Sequence, residues 1–196
     1  MAEIREIVPF APSVKWSAHW LRAIAETSSE APEEDESLYP VMEGRDIARC
    51  IISGNNGFPV RLSVAVKGGA GVLKGKLPKY AVEISEHGNW RHNHLGTMEA
   101  SYGKLPYYPY LIPALKRVYN TPFVKLSSFN FAIHKQLLSF LMQDIQLKDL
   151  TVIFTSRGSL LERGKEIANE MHPEHSILDG LMRFGPETLL ALATLR

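Results

Sequence analysis

Between Asn89 and Tyr108 the chain reads NWRHNHLGTMEASYGKLPYY, a run dense in side chains that bind ligands or move protons. An imidazole titrates near neutral pH, so a histidine beside a flat apolar ring suits general acid or base work or ligand binding. Trp90, His94, Met98 and Ser101 or Tyr102 recur at i, i+4, i+8 and i+11 to i+12, which lines them along one helical face. His94 is therefore the candidate catalytic base, with Trp90 and Tyr102 as candidate walls of a ligand site. The same spacing also fits plain packing, in which Trp90, Met98 and Tyr102 seat the helix on a sheet and His94 bonds a carbonyl. A metal site from His87, His92 and His94 does not follow. His92 and His94 are two apart on a helix and so point about 200° away from each other.

Arg49 is the other residue with chemical promise. It sits in the apolar run Ile47, Cys50, Ile51, Ile52, where its guanidinium could grip a carboxylate or phosphate with two parallel bonds or reach water from a sheet edge. Stronger mechanistic signatures are missing: there is no GxSxG, HExxH, CxxC or GxGxxG. The segment GGAGVLKGKLPK, residues 68–79, has glycines and lysines but not the order of a phosphate loop, and reads as a flexible basic loop. These residues leave the cofactor, if there is one, unknown.

These side chains need elements to hold them. Val60, Leu62, Val64 and Val66 alternate with Arg61, Ser63, Ala65 and Lys67 after the turn GNNG, which predicts an antiparallel hairpin over 46–53 and 59–67. Further strands are expected at 4–8, 38–42, 80–85 and 150–155. Asn89 is placed to cap a helix over 90–102, with Gly103 and Pro106 ending it. Other helices are expected from Ser13, from Pro109, over 128–146 with Ile133, Leu137, Leu141 and Ile145 as its apolar stripe, over 159–171, and from Pro186. His134 beside that stripe reads as packed or surface-exposed. The sum is a single α/β domain over 1–196, with a mixed β-sheet that includes an antiparallel hairpin and is covered by helices. An acidic run without large apolar residues, 27–37, reads as a mobile loop.

Bulk properties narrow the function. With 196 residues, 45% hydrophobic and 22% charged, the chain has the make-up of one globular domain. A net charge of +1 argues against a nucleic-acid binder, which needs a basic excess. The one cysteine, Cys50, lies in an apolar run and reads as a packed thiol. No apolar run reaches the roughly 18 residues of a membrane span, and MAEIREIV has no leader-like apolar stretch, so a cytoplasmic location is expected.

Several segments resemble the WbqC-like protein family. Residues 45–67, RDIARCIISGNNGFPVRLSVAVK, are similar to its segment of an Asn-Arg pair, a Gly-containing turn and a strand; here Arg49 is kept while Ala48 and Ala65 replace an Asn and a Pro. Trp90, His94, Ala100, Tyr102, Pro106, Tyr107 and Tyr108 match its Trp, His, Ala-x-Tyr and Pro-aromatic pattern. Leu126 to Asn130 resembles its Leu-x-x-x-Asn helix entry, and SILDGLMRFGPETLL from Ser176 its Ile-Leu-Asp and Gly-Pro-Glu ending. Residues 156–172 depart from the family's Asp-Tyr and proline-aromatic segment. The resemblance implies a transferase-type enzyme that modifies a sugar in surface-polysaccharide biosynthesis, such as aminoacyl transfer to an amino sugar. On that reading His94 is the base, Arg49, Trp90, Tyr102 and Tyr107 bind substrate, and the partner is a small-molecule sugar or acyl donor. A protein that binds a sugar or a partner without turnover on the same scaffold is the alternative.

Overall fold

The GNNG hairpin anchors the architecture. In the computed structural model, which describes residues 9–26, 46–74, 81–143, 153 and 158–195, β1 (Arg49–Ser53) pairs antiparallel with β2 (Pro59–Ser63). The register runs from Arg49↔Ser63 to Ser53↔Pro59. Gly57, at φ +79°, supplies the left-handed residue that the tight turn requires. Alternation then sorts the faces: Cys50, Ile52 and Leu62 are buried, while Arg49, Ile51 and Ser53 are half-buried and Pro59, Arg61 and Ser63 are exposed.

Backbone bonds from Val64 N–H to Ala48 O (2.8 Å) and from Gly54 N–H to Phe58 O (2.9 Å) set which groups face the partner strand. Ile51, Ser53 and Ser63 are thereby left with edge-facing groups, which in a two-stranded ribbon invite further pairing. Helices close both edges. Ser176 N–H donates to Ile51 O at 2.7 Å, the Asp179 carboxylate accepts from Ser53 N–H, and His94 takes the backbone of Ser63.

The helices are α1 (Val14–Glu26), α2 (Ala70–Lys74), α3 (Trp90–Tyr102), α4 (Tyr108–Asn120), α5 (Leu126–Leu141), α6 (Ser159–Asn169), α7 (Ile177–Phe184) and α8 (Thr188–Thr194). Ser13 caps α1, its hydroxyl accepting from Trp16 N–H at 3.2 Å. Pro109 lies in the first turn of α4, where its missing amide does no harm. Asn89 does not cap α3 through its side chain. It is itself left-handed (φ +52°) after the left-handed Gly88, a tight reversal that brings the chain onto the helix. Residues 70–74 are helical rather than loop, held by the buried Leu73.

The fold is α/β as expected, with its hairpin covered by helices, but the sheet is small. Past Ser63 the second strand continues only as a bridge, Val66↔Ile84, and of the strand expected at 80–85 the described residues 81–85 contribute that bridge and Glu83↔Lys125. Gly68 and Gly69, at φ +77° and +68°, turn the chain away directly after Lys67. All pairings among the described residues are antiparallel, so the mixed sheet is not seen there. The expected strands 4–8 and 38–42 and the acidic loop 27–37 lie outside the described residues. Of 150–155 only Ile153 is described, and it is helical. The α5 helix begins two residues before, and stops five before, the 128–146 expectation, with a turn at Met142 and Gln143.

One core joins these parts. Ile52 and Leu62 of the hairpin, Met98, Leu115, Phe129, Leu137, Leu181 and Leu192 are buried in a single cluster. Each such side chain stabilises by about 1.5–3 kcal/mol relative to exposure. Asn130 ties α5 to the turn before β1, its amide donating to Ile47 O at 2.6 Å.

Candidate functional site

His94 lies inside an aromatic cage. Its ring stacks on Phe10 (5.5 Å between centroids) and meets Trp90 and Tyr119 edge-on at 5.2 and 5.9 Å. Nδ1 is 3.1 Å from the Tyr119 hydroxyl, and Nε2 is 3.1 Å from both the N–H and the C=O of Ser63. In either tautomer one nitrogen donates and the other accepts, so neither is left over. Burial pulls its pKa down to about 4, against a smaller upward pull from the Ser63 backbone. The ring is a neutral cross-link between α3, β2 and α4. A base must reach the proton it removes, and here the ring faces only protein, so the catalytic role expected of His94 does not fit this geometry.

Trp90 is equally internal. Its indole N–H donates to Ser85 O at 2.8 Å, and Arg91 lies 4.6 Å over its ring while bonding Glu86 and Tyr119 O. Tyr107 is a brace between α4 and α7. Its ring rests on Gly185, where a Cβ would come within 2.4 Å, and its N–H donates to Met182 O at 3.1 Å. Arg49 leaves the outer face of β1, half-buried, with no bonded partner among the described residues. Its register partner is Ser63, the residue His94 holds, so the two candidates share one cross-strand pair, the ring at the sheet edge and the guanidinium on the face.

Tyr102 leads to a different centre. Its hydroxyl, buried at the end of α3, donates to Asp179 Oδ1 in the first turn of α7. Burial and the adjacent carboxylate raise its pKa well above the usual phenol value, so it stays a donor. Asp179 collects further bonds from β1. Ser53 N–H is 3.1 Å from each carboxylate oxygen, and the Ser53 hydroxyl donates to Oδ2 at 2.7 Å. His175 Nδ1 is 3.0 Å from Oδ2 and 3.1 Å from Ser53 Oγ. A carboxylate held by this many donors is fixed in place.

This arrangement sets the tautomer of His175. With Nδ1–H donating to Asp179, the neutral ring carries its lone pair on Nε2. Among the described residues Nε2 has no partner, and it is not one of the polar atoms sealed from solvent. His172 stacks on the ring at 4.4 Å and covers one face. The result is an oriented His–Asp pair, an arrangement that in Ser-His-Asp triads positions the imidazole for proton transfer. Ser53 is not its nucleophile, because its hydroxyl proton goes to Asp179 and its oxygen faces Nδ1 rather than Nε2. Cys50 is no nucleophile either. Burial, and to a lesser degree Asp179, push its thiol pKa far up, and the thiol stays protonated in the core.

Sequence reasoning did not single out Ser53, His175 or Asp179 as site residues. A signal existed: Asp179 is the acid of the Ile-Leu-Asp ending, and His175 precedes it by four. Ser176-Ile-Leu-Asp179 before an apolar run reads as an ordinary helix-start box. Ser176 does cap α7, accepting from Leu178 N–H at 3.2 Å, but the Asp179 carboxylate reaches across to β1.

Comparison with known proteins adds one finding: a model of the WbqC-like protein family matches residues 34–180. No curated protein and no solved structure matches the chain. Among the described residues no helix is long and apolar enough to cross a membrane.

Proposed function

The chain belongs to the WbqC-like protein family, and on that premise we propose that it is a cytoplasmic transferase-type enzyme of surface-polysaccharide biosynthesis that modifies an amino sugar. The observation that carries the catalytic part is the Asp179–His175 pair, with its free and solvent-reached Nε2. His175 Nε2 takes the proton from a sugar amine or hydroxyl as that group attacks an activated acyl carbon. The new bond forms, the bond to the donor's leaving group breaks, and the proton passes from Nε2 to that leaving group. Asp179 stabilises the imidazolium in between, and Tyr102 and Ser53 hold Asp179 still. Positioned proton transfer of this kind contributes about 10² to 10⁴ in rate. Arg49 holds an anionic part of the substrate; His94, Trp90 and Tyr107 keep α3, α4 and α7 in register behind the site.

The test uses His175→Asn, whose amide N–H can still donate to Asp179 but which lacks Nε2. In a strain deleted for the gene, the wild-type gene should restore the mass of the polysaccharide repeat unit and His175→Asn should not, with both proteins folded by circular dichroism. A deletion that leaves the repeat unit unchanged removes the glycan assignment. Full restoration by His175→Asn removes the proton-transfer role and favours a sugar-binding protein without turnover.

A further inference from the structure

Register puts two arginines on one face of the hairpin. Arg49 pairs with Ser63 and Ile51 with Arg61, so Arg61 sits diagonally from Arg49 on one side and from Ser53 on the other. Diagonal neighbours on one face lie about 7–8 Å apart, within reach of long side chains. The face therefore reads, in order, Arg49, Arg61, then Ser53 with His175 and Asp179. Neither guanidinium has a hydrogen bond or ion pair among the described residues. By contrast Arg91 is paired with Glu86, Arg163 with Glu187 and Arg183 with Glu170. Two like charges side by side without an acid repel each other. Asp179 does not relieve this, since it is committed to Ser53, Tyr102 and His175.

We propose that Arg49 and Arg61 form a clamp for the diphosphate of the substrate, so that the sugar modified at His175 arrives as a diphosphate ester. This rests on the reading of His175 given above. A guanidinium fork matches the oxygens of one phosphoryl group, and two forks a diagonal apart match two adjacent phosphoryl groups better than one carboxylate. Arg61, level with Ile51, lies two residues along the strand from Ser53, and Arg49 lies four from it. On this proposal the phosphates sit at the arginines and the linked sugar extends along the strand toward Ser53 and His175. The diphosphate's other ester can be a nucleoside or a polyprenyl lipid, and the clamp reads only what the two share.

Calorimetry on the full chain, with inorganic pyrophosphate as the probe, tests it. Wild type should bind saturably, and Arg49→Gln and Arg61→Gln should each weaken binding about tenfold or more. Arg117→Gln, an exposed arginine on α4, should change nothing. UDP and geranyl diphosphate then separate the sources: whichever gains Arg61-dependent affinity over pyrophosphate identifies the second ester, and equal affinity for all three makes the diphosphate the whole recognised unit. No binding to wild type, binding insensitive to both hairpin variants, or an equal loss in Arg117→Gln overturns the clamp. His175→Asn should keep pyrophosphate affinity while failing in the glycan assay. A clamp that fails beside an intact His175 effect leaves the catalytic reading standing alone.

Discussion

His94 and His134 are buried to nearly the same extent, 4% and 5% exposed, and burial draws the pKa of each to about 4. Each sits in an aromatic cage, His94 among Phe10, Trp90 and Tyr119, His134 edge-on to the stacked pair Trp16 and Trp20. Their bonding is opposite. Both nitrogens of His94 have protein partners, whereas neither nitrogen of His134 has one, and Trp16 Nε1 and Ser17 Oγ nearby are orphaned as well. A depressed pKa is thus no mark of chemistry in this molecule. It reports burial, and the bonding decides whether the ring stabilises the fold or burdens it. His175, the proposed proton carrier, is neither: its Nδ1 is anchored on Asp179 and its Nε2 has no partner among the described residues.

The largest effect expected from this contrast is at His94. Replacing it with Ala opens a hole in the aromatic cage and orphans Tyr119 and the Ser63 backbone, which should cost about 3–5 kcal/mol by analogy with other buried rings. Urea unfolding at pH 7 measures it. A loss under about 1 kcal/mol would show that the cross-link is not structural and would return His94 to contention as a catalytic group.

The opposite change is expected at His134. His134→Leu removes two unpaired polar atoms from an apolar cleft lined by Pro12, Trp20 and Leu137, and should stabilise the protein by about 1–3 kcal/mol at pH 7. The same variant should flatten the pH dependence. As pH falls below about 6.5 the unfolded chain takes up a proton on each histidine, while the two buried rings stay neutral until about 4. The unfolded state binds more protons in that window, so stability falls there by up to about 1.4 kcal/mol per pH unit for each ring. Unfolding midpoints at pH 7 and pH 5 should converge in His134→Leu relative to wild type. An unchanged pH slope would mean that His134 is not held neutral in the native state.

What the residues revealed beforehand follows from the range of each signal. The GNNG hairpin, α1 with its Ser13 cap and the helix over 90–102 were legible because alternation, capping and helical spacing are local. So was the packing alternative for His94, which bonds the backbone of Ser63 as a packed ring would. The partner of a buried ring is set by distant segments: Tyr119 is 25 residues from His94, and Asp179 is 126 from Ser53. Nothing in Ser176-Ile-Leu-Asp179 tells that the carboxylate leaves its own helix to seize β1. The sheet was overread for a similar reason, since residues 80–85 have strand composition but Gly68 and Gly69 deny them a long neighbour.

The finest test converts one histidine part of the way into the other. Tyr119→Phe keeps the ring that packs on Trp90 and Phe129 and deletes only the hydroxyl at His94 Nδ1. One nitrogen of His94 then stands as both stand in His134, buried and unpaired. Losing one partner of a buried hydrogen bond costs about 1–3 kcal/mol, with a single neutral pair at the low end, so a loss of about 1 kcal/mol in urea unfolding is expected. The double variant with His94→Phe should recover little of it, because the unpaired ring nitrogen leaves but the Ser63 backbone loses its partner in exchange. If Tyr119→Phe is neutral, His94 draws its stability from stacking alone, and the contrast with His134 is one of packing rather than of bonding.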